Sequence, residues 1–234
     1  MAGERPLLVA EVFGPTLQGE GPSCGQQALF VRLSRCNLSC PSCDTPYTWD
    51  WRRFDVVTET HRRSAVEVLD WALAYRTELL VVTGGEPLLQ QDLLVPLVTG
   101  WAGAGRRVEV ETNGTLAPAQ ALVEAATRFN VSPKLASFAA GRDARRRINP
   151  EALRALVATG RAVFKFVASS IRDLEEIAEL ERQFGVQPVW VMPEGTTTDR
   201  LLEVMRALAD EVVGRGWHLS TRLHVLLWGD TRGR

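Results

Sequence analysis

Along the chain, short apolar and β-branched runs alternate with stretches whose apolar positions recur at helical spacing. Ala28 to Leu33, Leu79 to Val82, Arg107 to Val110, Phe129 to Val131, Ala162 to Val167 and Pro188 to Met192 predict strands, being brief and β-branched. Between them, Ala65 to Tyr75, Leu88 to Trp101, Pro118 to Arg128, Pro150 to Thr159, Asp173 to Phe184 and Asp199 to Val213 carry the period of helices. Asn149-Pro150-Glu151 marks one helix start, because Asn can cap free amides and Pro suits a first turn. Such alternation predicts an α/β fold with about six parallel strands, as an open doubly wound sheet or a partial βα barrel. A further strand at each end, around Leu8 to Phe13 and Arg222 to Trp228, is expected to flank that core. Ala136 to Arg147, rich in Ala, Gly and Arg, is expected to be a mobile loop. With no internal repeat or low-complexity tract, residues 1–234 are expected to form one domain.

Composition narrows the function. A hydrophobic content of 45% supports a continuous core, and a formal net charge of -1 gives no global basic field for nucleic acid. A small-molecule partner is expected. The apolar run before Glu11 is too short for a signal segment, and nowhere do about 18 apolar residues follow one another, so a cytoplasmic protein without membrane contact is expected. In a reducing compartment, clustered cysteines serve as ligands more readily than as disulfides.

Cys36, Cys40 and Cys43 stand at CxxxCxxC spacing directly after a predicted strand, in a loop short enough to wrap one metal centre. Three thiolates on an iron-sulfur cubane leave one iron open for a chelating molecule. A structural zinc site completed by Cys24 or a nearby His is the alternative, although structural zinc usually pairs two knuckles and no second knuckle exists here. Polar clusters follow successive strands: Thr83-Gly84-Gly85-Glu86-Pro87, Glu111-Thr112-Asn113-Gly114 and Ser132-Pro133-Lys134. Each taken alone is ordinary turn punctuation. Together at the carboxyl ends of parallel strands, beside the cysteine loop, they predict one functional rim, where glycines let the backbone approach a cofactor.

The cysteine run followed by Gly84-Gly85-Glu86-Pro87 resembles the radical S-adenosylmethionine (SAM) superfamily. More narrowly, the stretch from Glu11 through Gln18-Gly19-Glu20-Gly21, then Phe30-Val31-Arg32-Leu33 and Asp44-Thr45-Pro46-Tyr47, is similar to the 7-carboxy-7-deazaguanine synthase family. Lys165-Phe166-Val167 and Met192-Pro193-Glu194-Gly195 continue a likeness that runs from about Glu11 to Trp228. It implies a partial βα barrel in which Cys36, Cys40 and Cys43 hold a 4Fe-4S cluster. It further implies that Ser42, Cys43, Asp44, Gly85, Ser132, Pro133, Lys134 and Glu194 contact SAM. Leu17, Gln18, Gly19, Glu20, Arg32, Thr83 and His224 would bind substrate, and Thr45 would ligate magnesium.

Some of these roles make chemical sense by themselves. A planar guanidinium such as Arg32 recognises a carboxylate at two points, and an ionised Glu20 can only accept hydrogen bonds, as the amino-pyrimidine edge of a pterin requires. A surface salt bridge is the plain alternative for Arg32, and a solvated loop side chain for Glu20. Thr45 alone would be a turn residue, His224 on its predicted strand would be structural, and Trp49 and Trp51 would be packing aromatics that could wall a pocket. Two positions depart from the family pattern: Ser42 stands where an aromatic is common, and Arg35 where glycine is usual.

The resemblance implies one-electron cleavage of SAM to a 5'-deoxyadenosyl radical, ring contraction of 6-carboxy-5,6,7,8-tetrahydropterin, loss of ammonia, and regeneration of SAM. It also implies an electron donor such as flavodoxin, and a homodimer. The rivals are a glycyl-radical-enzyme activase, against which Gln18, Glu20 and Arg32 argue, and a non-catalytic metal-binding module.

Overall fold

Strands that alternate an outward Leu, Val or Phe with a different inward residue can pack helices on one side and line a cavity on the other. The computed structural model describes residues 5–139 and 141–234. Its strands are β1 (Leu7–Leu17), β2 (Gln27–Leu33), β3 (His61–Arg63), β4 (Leu79–Gly84), β5 (Arg107–Thr112), β6 (Arg128–Val131), β7 (Ala162–Ala168), β8 (Val189–Pro193) and β9 (His218–Leu219). They form one sheet in the order β3-β1-β2-β4-β5-β6-β7-β8-β9. From β2 to β9 the neighbours are parallel, while β1 runs antiparallel to β2 and β3. The helices are α1 (Val56–Glu59), α2 (Ala65–Leu73), α3 (Gln91–Gly103), α4 (Gln120–Ala125), α5 (Pro150–Ala158), α6 (Ile171–Phe184), α7 (Thr198–Gly214) and α8 (Leu223–Trp228).

The sheet curls into a partial barrel. Leu223 N donates to Gly19 O at 2.8 Å and Gly21 N donates to Ser220 Oγ at 2.8 Å, so the turn after β1 meets the segment after β9. Outward residues, among them Leu29, Val31, Leu80, Val82, Val108, Val110, Phe129, Val131, Phe164 and Phe166, form the main core with the helices. The inward positions Ala28, Phe30, Leu79 and Val81 make a second, smaller cluster against Phe13.

All six anticipated parallel strands are present, and Asn149 caps α5 by accepting from Glu151 N and Ala152 N at 3.1 and 3.4 Å. The structure corrects the sequence at the carboxyl end: Arg222 to Trp228 is no strand, and α8 occupies it. Polar and apolar residues alternate only from Arg222 to Val225 before three apolar residues follow, and only Val225 of α8 is buried, which suits a short helix laid against the barrel rim better than a ladder position. The expected helix at Leu88 divides into a 3-10 turn (Pro87–Gln90) and α3. Of the expected loop at 136–147, residue 140 lies outside the described residues. Elsewhere it is tied down, with Ser137 Oγ donating to Asp173 at 2.6 Å and a buried Asp143 accepting from Ser39. No helix among the described residues is long and apolar enough to cross a membrane.

Phe129 is fully buried between the sheet and its helices. Phe129→Ala is expected to cost about 3–5 kcal/mol through lost transfer energy and the cavity left behind. Chemical denaturation followed by circular dichroism checks this; a midpoint equal to that of the native chain would contradict the packing described.

Candidate active site

A cavity of about 790 Å³ opens at the carboxyl ends of the strands, and every residue to which the resemblance gives a cluster, SAM, substrate or magnesium role lines it. The exit of β1 supplies Leu17, Gln18, Gly19 and Glu20, and β2 supplies Arg32. The loop after β2 brings Cys36, Cys40, Ser42, Cys43, Asp44 and Thr45. The ends of β4, β6 and β8 bring Thr83 and Gly85, then Ser132, Pro133 and Lys134, then Glu194. His224 enters from α8 rather than from the expected strand. Trp49 is also in the wall, whereas Trp51 is not and instead lies under the Arg35 guanidinium at 5.2 Å.

The cysteine loop is shaped by backbone contacts. Arg35 has φ 84, the one non-glycine residue with positive φ among those described. Its N–H donates to Thr48 O at 2.7 Å and its carbonyl accepts from Glu86 N at 2.9 Å. A Cβ on Gly85 would lie 2.0 Å from that carbonyl, so only glycine lets the end of β4 press against the loop. Glu86, wholly buried, accepts from Asn113 N at 2.7 Å, Thr112 Oγ1 at 2.8 Å and Leu88 N at 2.9 Å, which locks the ends of β4 and β5 together.

All four cysteines are free, and Cys24, whose thiol donates to Gly19 O at 3.3 Å, does not line the cavity. Burial pushes the Cys36 thiol up to about 12 and also raises Cys40, so the fold alone does not hold these groups as thiolates. Metal coordination would do that, because a ligating thiol loses its proton outright. Among the described residues no three His, Cys, Asp or Glu side chains converge as they would around a single ion. A cubane asks for less, since each thiolate binds its own iron. Three thiols on one loop, one of them receiving Leu38 N at 3.4 Å, suit the soft donor set of an iron-sulfur cluster. Thr45 Oγ1 lies 3.7 Å from Cys43 Sγ, at the seam between the cysteine loop and the remainder of the cavity.

Facing the thiols is a buried ionic set. Glu20 pairs with Lys165 Nζ through one oxygen and with Arg222 Nε at 3.1 Å through the other. Arg222 also reaches Asp44 at 2.6 Å and Gly195 O at 2.9 Å. Glu111 accepts from Thr83 Oγ1 at 2.7 Å and Gln18 Nε2 at 3.2 Å, with Lys165 at 3.7 Å. Burial alone would raise the Glu20 carboxyl, yet Lys165 and Arg222 outweigh it and hold the group well below its usual range. Burial would likewise lower Lys165, but Glu111 and Glu20 raise it above its ordinary value. Burial also disfavours a proton on His224, so its imidazole is neutral at pH 7. The Nδ1 of that ring occupies the space that a Cβ on Gly19 would need, 2.0 Å away.

Arg32 donates through Nε to Glu11 at 2.7 Å, and Glu11 also accepts from Tyr47 at 2.9 Å and Arg232 at 2.9 Å. Sequence reasoning placed Glu111 only within the polar rim and gave no individual role to Glu11, Lys165 or Arg222. A charged residue amid apolar strand neighbours, as in Val-Phe-Lys-Phe-Val around Lys165 and Val-Glu-Val-Glu-Thr around Glu111, is the signal that finds two of them. Arg222 carries no such mark.

Lys165→Met removes one partner of a buried carboxylate and is expected to cost about 3–5 kcal/mol at neutral pH. The depressed Glu20 contributes stability above its ordinary value of 4.5 and loses it as pH falls through its lower folded value. The deficit of the variant therefore shrinks below about pH 4.5, where its own Glu20 can take a proton. Denaturation at several pH values checks this, and a deficit independent of pH would refute the pairing.

Similarity to known proteins fits this geometry. The Radical SAM superfamily profile matches residues 31–171. The 7-carboxy-7-deazaguanine synthase of Hyperthermus butylicus is 39% identical over 94% of this chain and 92% of that protein. That of Pyrobaculum aerophilum is 35% identical over 100% of both. The crystal structure of QueE from Escherichia coli superposes with TM-score 0.70 at 25% identity, covering 94% of this chain and 95% of QueE. Streptococcus suis SuiB, at 14% identity and TM-score 0.53 over 80% of this chain and 46% of its own, shares the fold alone. With relatives of this identity matched along nearly their whole length, the chain belongs to the 7-carboxy-7-deazaguanine synthase family of the radical SAM superfamily.

Proposed function

We infer that this protein is a radical SAM lyase that converts 6-carboxy-5,6,7,8-tetrahydropterin to 7-carboxy-7-deazaguanine and ammonia, in the biosynthesis of queuosine-type deazapurines. The observation that carries the reading is that one cavity contains both the three thiols of the cysteine loop and the Gln18, Glu20 and Arg32 set. An activase, which must admit a protein backbone, has no use for that polar set, and a metal-binding module has no use for the cavity.

In this reading Cys36, Cys40 and Cys43 would hold the 4Fe-4S cluster, whose chemistry when bound and reduced would be one-electron cleavage of SAM. Ser42, Cys43, Asp44, Gly85, Ser132, Pro133, Lys134 and Glu194 seat SAM; the Lys134 ammonium, donating to Ser132 Oγ at 3.0 Å, keeps two further protons for the carboxylate of SAM. Arg32 uses Nε for Glu11, and no other bond occupies its guanidinium among the described residues, so two terminal nitrogens are left for the pterin carboxylate. Each Glu20 oxygen has one cationic partner and a second lone pair that can accept from the amino-pyrimidine edge. Thr83, the backbone of Leu17 to Gly19, and neutral His224 complete the substrate wall. The protein's work is orientation and exclusion of water. Residues 1–234 act as one unit, a reading supported by the single continuous sheet. An external electron donor and a homodimer belong to the same reading.

Anaerobic reconstitution with SAM, a reductant and the carboxylated tetrahydropterin should give the deazaguanine acid by mass analysis. Replacing Cys36, Cys40 or Cys43 by Ala should abolish both the cluster absorption and the product, whereas Cys24→Ala should keep both. A colourless Cys24→Ala protein would sink the three-thiol assignment.

Magnesium, bound by the Thr45 hydroxyl and substrate oxygens, would orient the hydrogen to be removed. Because magnesium keeps its octahedral shell and replaces a lost ligand with water, Thr45→Ala should slow turnover without loss of cluster. Added magnesium should then accelerate the native protein far more than the variant. Equal stimulation of the two would remove Thr45 from the metal site.

A further inference from the structure

Beyond the active-site cavity, a second groove runs along the free edge of the sheet, lined by His61, Arg62 and Arg63 of β3 together with Val57, Arg35 and Glu67. Arg35, Arg62 and Arg63 are all exposed, and none has a carboxylate within salt-bridge distance among the described residues. Glu67, the one acid in the wall, is engaged by Ser64 N at 2.7 Å as part of the cap of α2. A chain of net charge -1 therefore sets three exposed arginines, none salt-bridged among the described residues, along one groove. At the lip, Val57 is 79% exposed, the highest of the exposed large hydrophobic side chains among the described residues.

The groove's position gives it meaning. Arg35 lines the groove and the next residue, Cys36, lines the active-site cavity. Consecutive Cα atoms are about 3.8 Å apart, so the first peptide of the cysteine loop is the partition between the two. Arg35 takes up a left-handed conformation there, with its guanidinium spread over Trp51 on the outer side. An electron carrier seated in the groove would lie against the back of the cluster loop without blocking the entrance for SAM or substrate.

We propose that the groove formed by β3, α1 and Arg35 is the docking face for an acidic one-electron carrier protein that reduces the cluster. This rests on the assignment of a cluster to Cys36, Cys40 and Cys43. In the step itself, one electron leaves the hydroquinone of a carrier flavin, which becomes a semiquinone, and enters the cluster. The three guanidinium groups supply steering and register toward a carrier whose rim is acidic, and exposed Val57 supplies an apolar contact.

The test uses the full chain with its cluster reconstituted, and two electron sources: photoreduced flavodoxin and sodium dithionite. With Arg62→Glu and Arg63→Glu combined, flavodoxin-driven product formation at low ionic strength should fall about tenfold or more, through a raised KM for flavodoxin. Dithionite-driven turnover and cluster absorption should be unchanged. The milder Arg62→Gln with Arg63→Gln should fall between, and added salt should slow the native protein toward the rate of the variants. Flavodoxin-driven rates equal in native and variant proteins would overturn the proposal. So would a parallel fall in the dithionite rate, which would make the groove part of the fold. Filter retention of a short RNA that the Glu variants abolish, with flavodoxin-driven turnover intact, would assign the groove to nucleic acid instead. A native protein inactive with both reductants would defeat the cluster assignment, a failure distinct from those three.

Discussion

Glu20 leaves water on folding, and the closure of the barrel depends on what meets it. Moving a carboxylate or an ammonium from water into the interior costs several kcal/mol per ion, a penalty recovered only when partners arrive with good geometry. Its partners come from far apart in the chain: Lys165 from β7 and Arg222 from the segment before α8. Each of the three is costly there without the others. The turn after β1, the middle of the sheet and the carboxyl-terminal segment therefore assemble together or not at all. Arg222 extends the constraint, since the same guanidinium holds Asp44 next to the third cysteine and the carbonyl of Gly195 beyond β8.

That ionic set also divides the inner surface of the barrel. On β2 and β4 the inward side chains before Arg32 and Thr83 are Ala28, Phe30, Leu79 and Val81, with Phe13 stacked on Phe30 at 4.8 Å between centroids. On β5 to β7 the cavity wall is polar, carrying Glu111, Asn130 and Lys165. The Arg32 guanidinium sits 5.4 Å from the Phe13 ring centroid, at the border of the two halves. Under the proposed function, a flat bicyclic acid would find aromatic faces for its rings, a cation for its carboxylate and acceptors for its amino groups. The division thus gives the cavity an orientation as well as a size.

The parallel strands were legible because each one is a short apolar run, and the rim was legible because glycine and amide residues punctuate successive strand ends. The cysteine spacing carried the cluster chemistry. What the sequence concealed depends on distance in the fold. Arg222 lies about two hundred positions from Glu20 along the chain, and no local pattern distinguishes a buried arginine from a solvated one. The last helix was misassigned because Leu-His-Val-Leu-Leu-Trp sustains neither period, and its start is tied by the bond from Leu223 N to Gly19 O, a partner about two hundred positions away. Arg35 was visible as a departure from the family's glycine, but the departure alone did not say whether the backbone had changed with it.

The structure answers that point: the backbone keeps the glycine-like conformation and the arginine bears the strain. A left-handed non-glycine residue costs about 1–3 kcal/mol, offset here by two backbone hydrogen bonds, from Arg35 N to Thr48 O and from Glu86 N to Arg35 O. The conformation is required because β4 presses so close that Gly84 and Gly85 have no room for a Cβ. Farther along, Ser39 Oγ donates to buried Asp143 at 2.7 Å and Asn37 Nδ2 to Thr115 at 2.8 Å, so the loop is held on its other side as well. Thiols that burial keeps neutral cannot organise themselves around one another through charge. The shape of the loop therefore comes from its backbone and its polar neighbours, and a cluster held by these cysteines would meet a loop already bent to receive it.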